Sequence, residues 1–303
     1  MTSVDGGIYL CASRMALGEP VKLGDVEDVA AGGAVDRLVQ EGLAFARIAS
    51  GGSRDLVRHS LEATLAASAS RPDAVVHSTS TRWDDVAEVV VDVGLATVPT
   101  IGVTGNACAN FAPALRVARS LLVSEGDVRS VAMTLVDDAG DRPRLMADEI
   151  GVLSDGAATC LVMSDRPVSG WAVTGLETAT EWRLATDHDA DDVADAAATH
   201  SMNSQIKRAI QRIEAGASTP MSEYDIVLTN NYTWSLLEAF AQIIGVPVDR
   251  IYDDNRGDVS HCFGADPLID LATIERIDPP SGARAIALVC GPGVWSLISL
   301  ERL

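Results

Sequence analysis

Two residues set the chemical possibilities of this chain. Cys108 lies in "GNACANFAPALRVA", Gly105 to Ala118, and His261 lies in "SHCFGADPLIDLA", Ser260 to Ala272. After Cys108, the residues Phe111, Leu115, Ala118 and Leu122 recur at helical spacing. Pro113 belongs near the start of such a helix, where a missing N–H costs nothing. Cys108 is therefore expected at a helix N-terminus, where unpaired N–H groups and the helix dipole favour a thiolate. A free cysteine is also commonly a small buried core residue, so the helix alone does not make Cys108 a nucleophile.

The elements that must position these residues repeat along the chain. Short apolar runs read as buried strands at 73–80, 130–137, 158–165, 225–232, 283–291 and 294–301, and they alternate with helical segments. Strand–helix alternation implies an α/β fold with a sheet covered on both faces. A strand beginning near Val75 precedes Cys108 by 33 residues, and the next begins 23 residues later near Val131. A strand beginning near Ile226 precedes His261 by 35 residues, and the next begins 24 residues later near Ala285. Proline follows Cys108 after five positions and His261 after six, and each half closes on a Gly-containing turn and a strand. A repeat of this kind predicts two similar halves, 1–168 and 169–303, related by a pseudo-two-fold axis. Equivalent helix starts then meet near that axis and bring Cys108 face to face with His261, which favours the thiolate.

Composition narrows the classes of partner. The 303 residues are 47% apolar and carry a net charge of −20. This charge argues against nucleic acid and against anionic membrane surfaces. The sequence shows neither a long uncharged apolar stretch nor a signal-peptide pattern at its N-terminus. The five cysteines are odd in number and scattered, without a CxxC, which points to a reducing cytoplasm rather than a disulfide framework or a zinc site. His261-Cys262 lacks a second ligand pair, and the acidic stretch 187–192 reads as a solvated loop rather than a cation site, so no metal is expected. Lys207, Arg208 and Arg212 fall on one short helical stretch. They form either a solvated face or a dock for a phosphate-bearing ligand or an acidic carrier protein.

The segment "GNACANFAPALRVARSLL" resembles the active-site segment of the thiolase superfamily, specifically ketoacyl synthase III-like enzymes. "LSDGAATCLVMSD" resembles the Gly-Asp-Gly-Ala turn and strand of that group, and "CGPGVWSLISL" resembles its C-terminal glycine-rich turn. The likeness runs over nearly the whole chain in the expected order. It implies a thiolase-like α/β fold of two pseudo-symmetric halves in α-β-α-β-α layers, and an acyl-accepting Cys108. It implies an oxyanion hole from the N–H groups of Cys108, Gly291 and Gly293, and a homodimer paired through the strand at 98–104. The donor would be an acyl thioester of coenzyme A or an acyl carrier protein, with no other cofactor.

The sequence departs from the group at two places. Lining up "SLLEAFAQIIGVP" with the family helix puts Asn230 where a histidine is usual, and "VSHCFGADPL" puts His261 where an asparagine is usual. Condensing members use that pair as two donors on a malonyl thioester carbonyl. Acyl transfer to an alcohol or amine needs a base instead, and His261 with Asn230 or Asn231 fixing its ring supplies one. The expected activity is therefore acyl transfer to a small-molecule oxygen or nitrogen acceptor without decarboxylation, as in antibiotic pathways. A decarboxylating condensing enzyme with exchanged positions and a catalytically silent thiolase-fold subunit are the alternatives. His77 reads as a hydrogen-bonded core residue or part of the acyl pocket. Tyr232, Trp234 and Trp295 are candidates for either the acceptor pocket or core packing.

Overall fold

A computed structural model describes residues 7–303 except 69, 80–82 and 186–191; the acidic stretch 187–192 lies almost wholly outside the described residues. The N-terminal part runs β1 (Ile8–Leu17), β2 (Glu19–Lys22), α1 (Glu27–Ala31), α2 (Val35–Gln40), β3 (Phe45–Ile48), α3 (Gly52–Ala67), β4 (Ala74–Ser78), α4 (Trp83–Asp92), β5 (Thr100–Val103), α5 (Phe111–Ser124), β6 (Ser130–Asp137) and β7 (Gly156–Met163). The C-terminal part runs β8 (Trp171–Thr180), α6 (Asp192–Ala217), β9 (Ile226–Thr229), α7 (Trp234–Ile244), α8 (Arg256–Val259), α9 (Asp266–Ile277), β10 (Arg284–Gly291) and β11 (Val294–Arg302).

Nine strands form one sheet in the order β5-β4-β6-β7-β1-β8-β11-β10-β9. From each outer side inward, the order and sense of pairing are the same. β4–β6 and β9–β10 are parallel, β6–β7 and β10–β11 antiparallel, and β7–β1 and β11–β8 antiparallel. The N-terminal part adds β5, parallel to β4, and a single parallel bridge between Val227 and Ile251 holds the matching place in the other part. The two sets join where Ile8–Leu10 of β1 pairs with Trp171–Val173 of β8. This is the duplicated order that the spacing of Cys108 and His261 anticipates.

The apolar character of the strands explains their burial. Every residue of β4 and β6 is buried, and so are all but the last of β7. The buried face of α5, with Phe111, Ala114, Leu115 and Ala118, shares one core with Leu268, Ile269, Leu271 and Ile274 of α9. Both helices lie against the sheet, α5 on β4, β6 and β7 and α9 on β1, β7 and β9. Burial of such side chains stabilises by about 1.5–3 kcal/mol each before conformational entropy is charged against it. The starts of the two helices, and with them Cys108 and His261, are thereby fixed.

A small unit formed by β2, β3, α1 and α2 has its own cluster of Leu23, Val26, Val29, Leu38, Leu43 and Ala46, closed by Val152. It is tied to the C-terminal part. Ala44 N–H donates to Gly257 O, Arg47 Nε to Asp258 O, and Ser260 Oγ to Phe45 O. The Glu41 carboxylate accepts from the N–H and hydroxyl of Ser235 at the start of α7. The sequence reading contains no trace of this unit, because its strands have four residues each and its helices five and six.

Candidate active site

Cys108 sits in a short 3₁₀ turn, Ala107–Ala109, that leads directly into α5. The residue before it, Ala107, has φ 45°, and the residue before His261, Ser260, has φ 54° and ψ −158°. Such conformations are costly for residues with a side chain and persist only where surrounding contacts enforce them. Ser260 is held by its hydroxyl on Phe45 O and by Asn231 Nδ2 on its carbonyl. The His261 backbone is clamped by Val152 and Ser154, with its N–H on Val152 O at 2.9 Å and its O accepting from Ser154 N–H at 2.8 Å.

These constraints put His261 Nε2 3.0 Å from Cys108 Sγ. Nδ1 donates to Asp266 Oδ2 at 2.5 Å. His261 and Asp266 are fully buried, and Cys108 is 8% exposed. The Asp266 carboxylate also accepts from the backbone N–H of Cys262 (2.7 Å) and Asn231 (2.9 Å) and from Asn231 Nδ2 (3.3 Å). It is thus fixed from two elements before it meets the imidazole. Burial works to lower the proton affinity of His261, but Cys108 and Asp266 outweigh it and raise its pKa to about 10. The arrangement has the geometry of a nucleophile, a base and an acid that orients the base.

The partner of Nδ1 is Asp266 rather than an asparagine, and the two asparagines are engaged elsewhere. Asn230 makes no hydrogen bond to His261. Its Nδ2 donates to Phe263 O (2.9 Å) and Cys108 O (3.3 Å), and its Oδ1 accepts from Cys290 N–H (2.8 Å). The carboxamide is spent on joining the nucleophile turn, the His261 loop and the end of β10. Asn231 reaches the imidazole only through Asp266. Asp266 occupies the first position of α9, directly before Pro267, five residues after His261. That acidic residue at a helix start was the available signal in the sequence.

Cys108 opens into a cavity of about 510 Å³ lined chiefly by apolar side chains, among them Met146, Ile150, Leu236, Phe240, Phe263 and Trp295. Tyr232 and Trp295 are on its wall; Trp234 is not. The Trp234 ring instead lies 5.2 Å from the Arg256 guanidinium and donates through Nε1 to Glu238, because it begins α7 on the side facing α8. Gly291 lines the cavity and packs directly on the nucleophile turn, where an added Cβ would lie 2.6 Å from Asn106 O. Gly293, with φ 68° in the turn after Pro292, is not on the wall; an added Cβ there would meet Glu181 O at 2.6 Å. His77 lies elsewhere, beside Gly102 of β5 in a separate hollow of about 370 Å³, with Nδ1 unpaired. Burial lowers its proton affinity.

Lys207 and Arg208 are exposed on α6, and Arg212 pairs with Glu177 at 2.6 Å. The Asp of the Gly-Asp-Gly-like turn, Asp155, is structural. It is buried, pairs with Arg144 at 2.9 Å, and accepts from the N–H groups of Ala49 and Ala139. Among the described residues, no group of His, Cys, Asp and Glu is placed to hold a metal ion.

No family model and no curated protein sequence matches the chain. Solved structures do. The 3-oxoacyl-(acyl carrier protein) synthase III of Pseudomonas aeruginosa superposes with a TM-score of 0.75 at 19% identity, over 97% of this chain and 98% of that one. ChlB3, described as an acyltransferase, gives 0.81 at 13% identity over 98% of both chains. OleA of Xanthomonas campestris gives 0.75 at 13% identity, over 97% of this chain and 98% of that one. At these identities the likeness establishes architecture, and the chain has the thiolase-like fold that these three proteins share.

Proposed function

We propose that the protein is an acyltransferase that carries an acyl group from a coenzyme A or carrier-protein thioester, through Cys108, to an oxygen or nitrogen acceptor without decarboxylation. The observation that carries this reading is the fate of Asn230. A condensing enzyme needs two side-chain donors aimed at one malonyl carbonyl. Here the Asn230 carboxamide has three backbone partners, while His261 is backed by a carboxylate. An imidazole so oriented is suited to moving protons.

The thiolate of Cys108 attacks the thioester carbonyl, and the oxyanion forms beside the start of α5 and Gly291, where backbone N–H groups stabilise it. Collapse expels the donor thiolate, which takes the proton of the His261 imidazolium. The acyl-enzyme then has a neutral imidazole beside an uncharged thioester. The negative charge of Cys108, one of the two groups that hold a proton on His261, is gone at this stage. His261 can now accept the proton of an incoming hydroxyl or amine as it attacks the thioester. Collapse releases the product and restores the thiolate–imidazolium pair. Asp266 accepts from Nδ1–H throughout and so keeps Nδ1 as a donor.

The resemblance to solved acyltransferase and synthase structures supports the donor class. The open edge of β5, the outermost strand of the sheet, supports pairing with a second copy. All five cysteines are free, which suits a reducing compartment such as the cytoplasm. The test is intact-protein mass after incubation with a panel of acyl-coenzyme A thioesters. The wild type is expected to gain one acyl group and Cys108→Ala none. Absence of any adduct from a folded protein would favour a catalytically silent subunit.

A further inference from the structure

We propose that Tyr232 and Phe263 are positioning residues that hold His261 in its charged form by packing two aromatic rings against the imidazolium. This rests on the reading of His261 as the proton carrier of the site. The Tyr232 ring centroid is 4.7 Å from that of His261 at an interplanar angle of 40°, and the Phe263 centroid is 5.5 Å away at 34°. Both lie inside the roughly 6 Å range in which a cation is attracted to the electron-rich face of a ring. His261 has no exposed surface, so an imidazolium there has lost its water. The two rings return part of that lost stabilisation. They favour the charged form over the neutral one and keep the pair with Cys108 dry.

Each ring is itself held. Tyr232 donates its hydroxyl to Cys290 O at 3.3 Å and packs edge-on against Phe240, which packs edge-on against Trp295. Phe263 has φ 53°, is tied by Asn230 Nδ2 on its carbonyl, and carries the Arg142 guanidinium 4.9 Å from its ring. Arg142 is in turn anchored on Ala139 O and Asp138 O. The titratable and charged groups around His261 are therefore Cys108 ahead of α5, Asp266 of α9, Tyr232 ahead of α7, Cys290 of β10 beyond Tyr232, and Arg142 behind Phe263. All of them, Tyr232 included, are unchanged in a Phe263→Leu variant, so that variant isolates the ring.

The experiment is a pH titration of the full chain labelled with ¹³C/¹⁵N-histidine, with the His261 signal assigned by its loss in His261→Asn. In the wild type, His261 is expected to keep its proton to about pH 10. Phe263→Leu and Tyr232→Leu are expected to lose it about one pH unit lower, a roughly tenfold change in protonation constant. The ring-retaining variant Phe263→Tyr is expected to titrate as the wild type does, and Tyr232→Phe to stay closer to the wild type than Tyr232→Leu, because the Tyr232 hydroxyl also acts on Cys108. A wild-type titration in either leucine variant would overturn the proposal. So would a full shift in Phe263→Tyr, which decides the matter even if the leucine variants do not fold. The measurement needs no turnover. A protein that titrates as expected yet accepts no acyl group would sink the acyl-transfer reading and leave this one standing.

Discussion

At the scale of single residues, the site is a chain of dependence from Asn231 to Asp266 to His261 to Cys108. Asp266→Asn keeps an oxygen for the backbone N–H of either Cys262 or Asn231, which bond different carboxylate oxygens, and removes the charge that orients the imidazolium. Acyl transfer should fall by about 100-fold or more, in the range attributed to a positioned acid–base group. A folded Asp266→Asn protein with wild-type turnover would remove Asp266 from the mechanism. The charge on His261 also bears on stability. Its proton affinity is raised in the folded chain to about 10 from an ordinary value near 6.5. The associated stabilisation is full below about pH 6.5 and is lost as pH rises toward 10. The thermal midpoint should therefore decline across that window, and His261→Asn should flatten the decline. Cys108 and His261 were legible in the sequence because equivalent places in a repeat carry them. Asp266 was not, because which polar group meets Nδ1 depends on the local turn. Asn230 was misread because the resemblance fixes a position and says nothing of where its side chain turns.

At the scale of elements, the nucleophile turn and the end of β10 are in contact with no room to spare. Gly291→Ala would drive a methyl group toward Asn106 O and displace the turn that carries Cys108. Overpacking of this kind costs about 1–3 kcal/mol. The variant should melt lower and acylate more slowly than the wild type, as read by calorimetry and by the time course of mass gain. An unchanged acylation rate would mean that the turn and β10 are not mechanically linked. The strands β4, β6, β7, β9, β10 and β11 were visible as apolar runs because the core takes most of their side chains. β8 was missed. Its sequence, WAVTGLETAT, is mostly half-buried, so it shows neither a continuous apolar run nor a clean alternation. The unit of β2, β3, α1 and α2 was missed for a related reason. Its elements are too short to show a period, yet it secures Ser260 and the start of α7.

For the whole molecule, duplication is the organising fact. Two sets of strands with one internal order place two helix starts at the join, and a cysteine and a histidine occupy them. The repeat could be read from spacing alone because insertions between the marked residues are nearly equal in the two halves. Its outer edges differ. β5 completes one side, and a single bridge at Ile251 stands in for it on the other. Val75 N–H donates to Pro99 O, so the parallel register turns the Thr100 N–H to the open edge. If β5 pairs with a second copy, Thr100→Pro removes an intermolecular donor and spares the bond to β4. Sedimentation equilibrium should then give about twice 31.8 kDa for the wild type and a lighter species for the variant. A wild type that sediments as a single chain would contradict the pairing.

The central claim is that the acyl group leaves Cys108 for an oxygen or nitrogen nucleophile and not for a decarboxylating carbon nucleophile. The direct measurement is a single-turnover chase. Acyl-enzyme is formed on Cys108, freed of donor, divided, and exposed to amines, to alcohols or to malonyl thioesters, with intact mass and released CO₂ followed together. The account predicts that the acyl mass is lost to an amine or alcohol and survives malonyl thioesters without CO₂. Discharge by a malonyl thioester with stoichiometric CO₂, and by nothing else, would contradict it and make His261 a donor to an enolate.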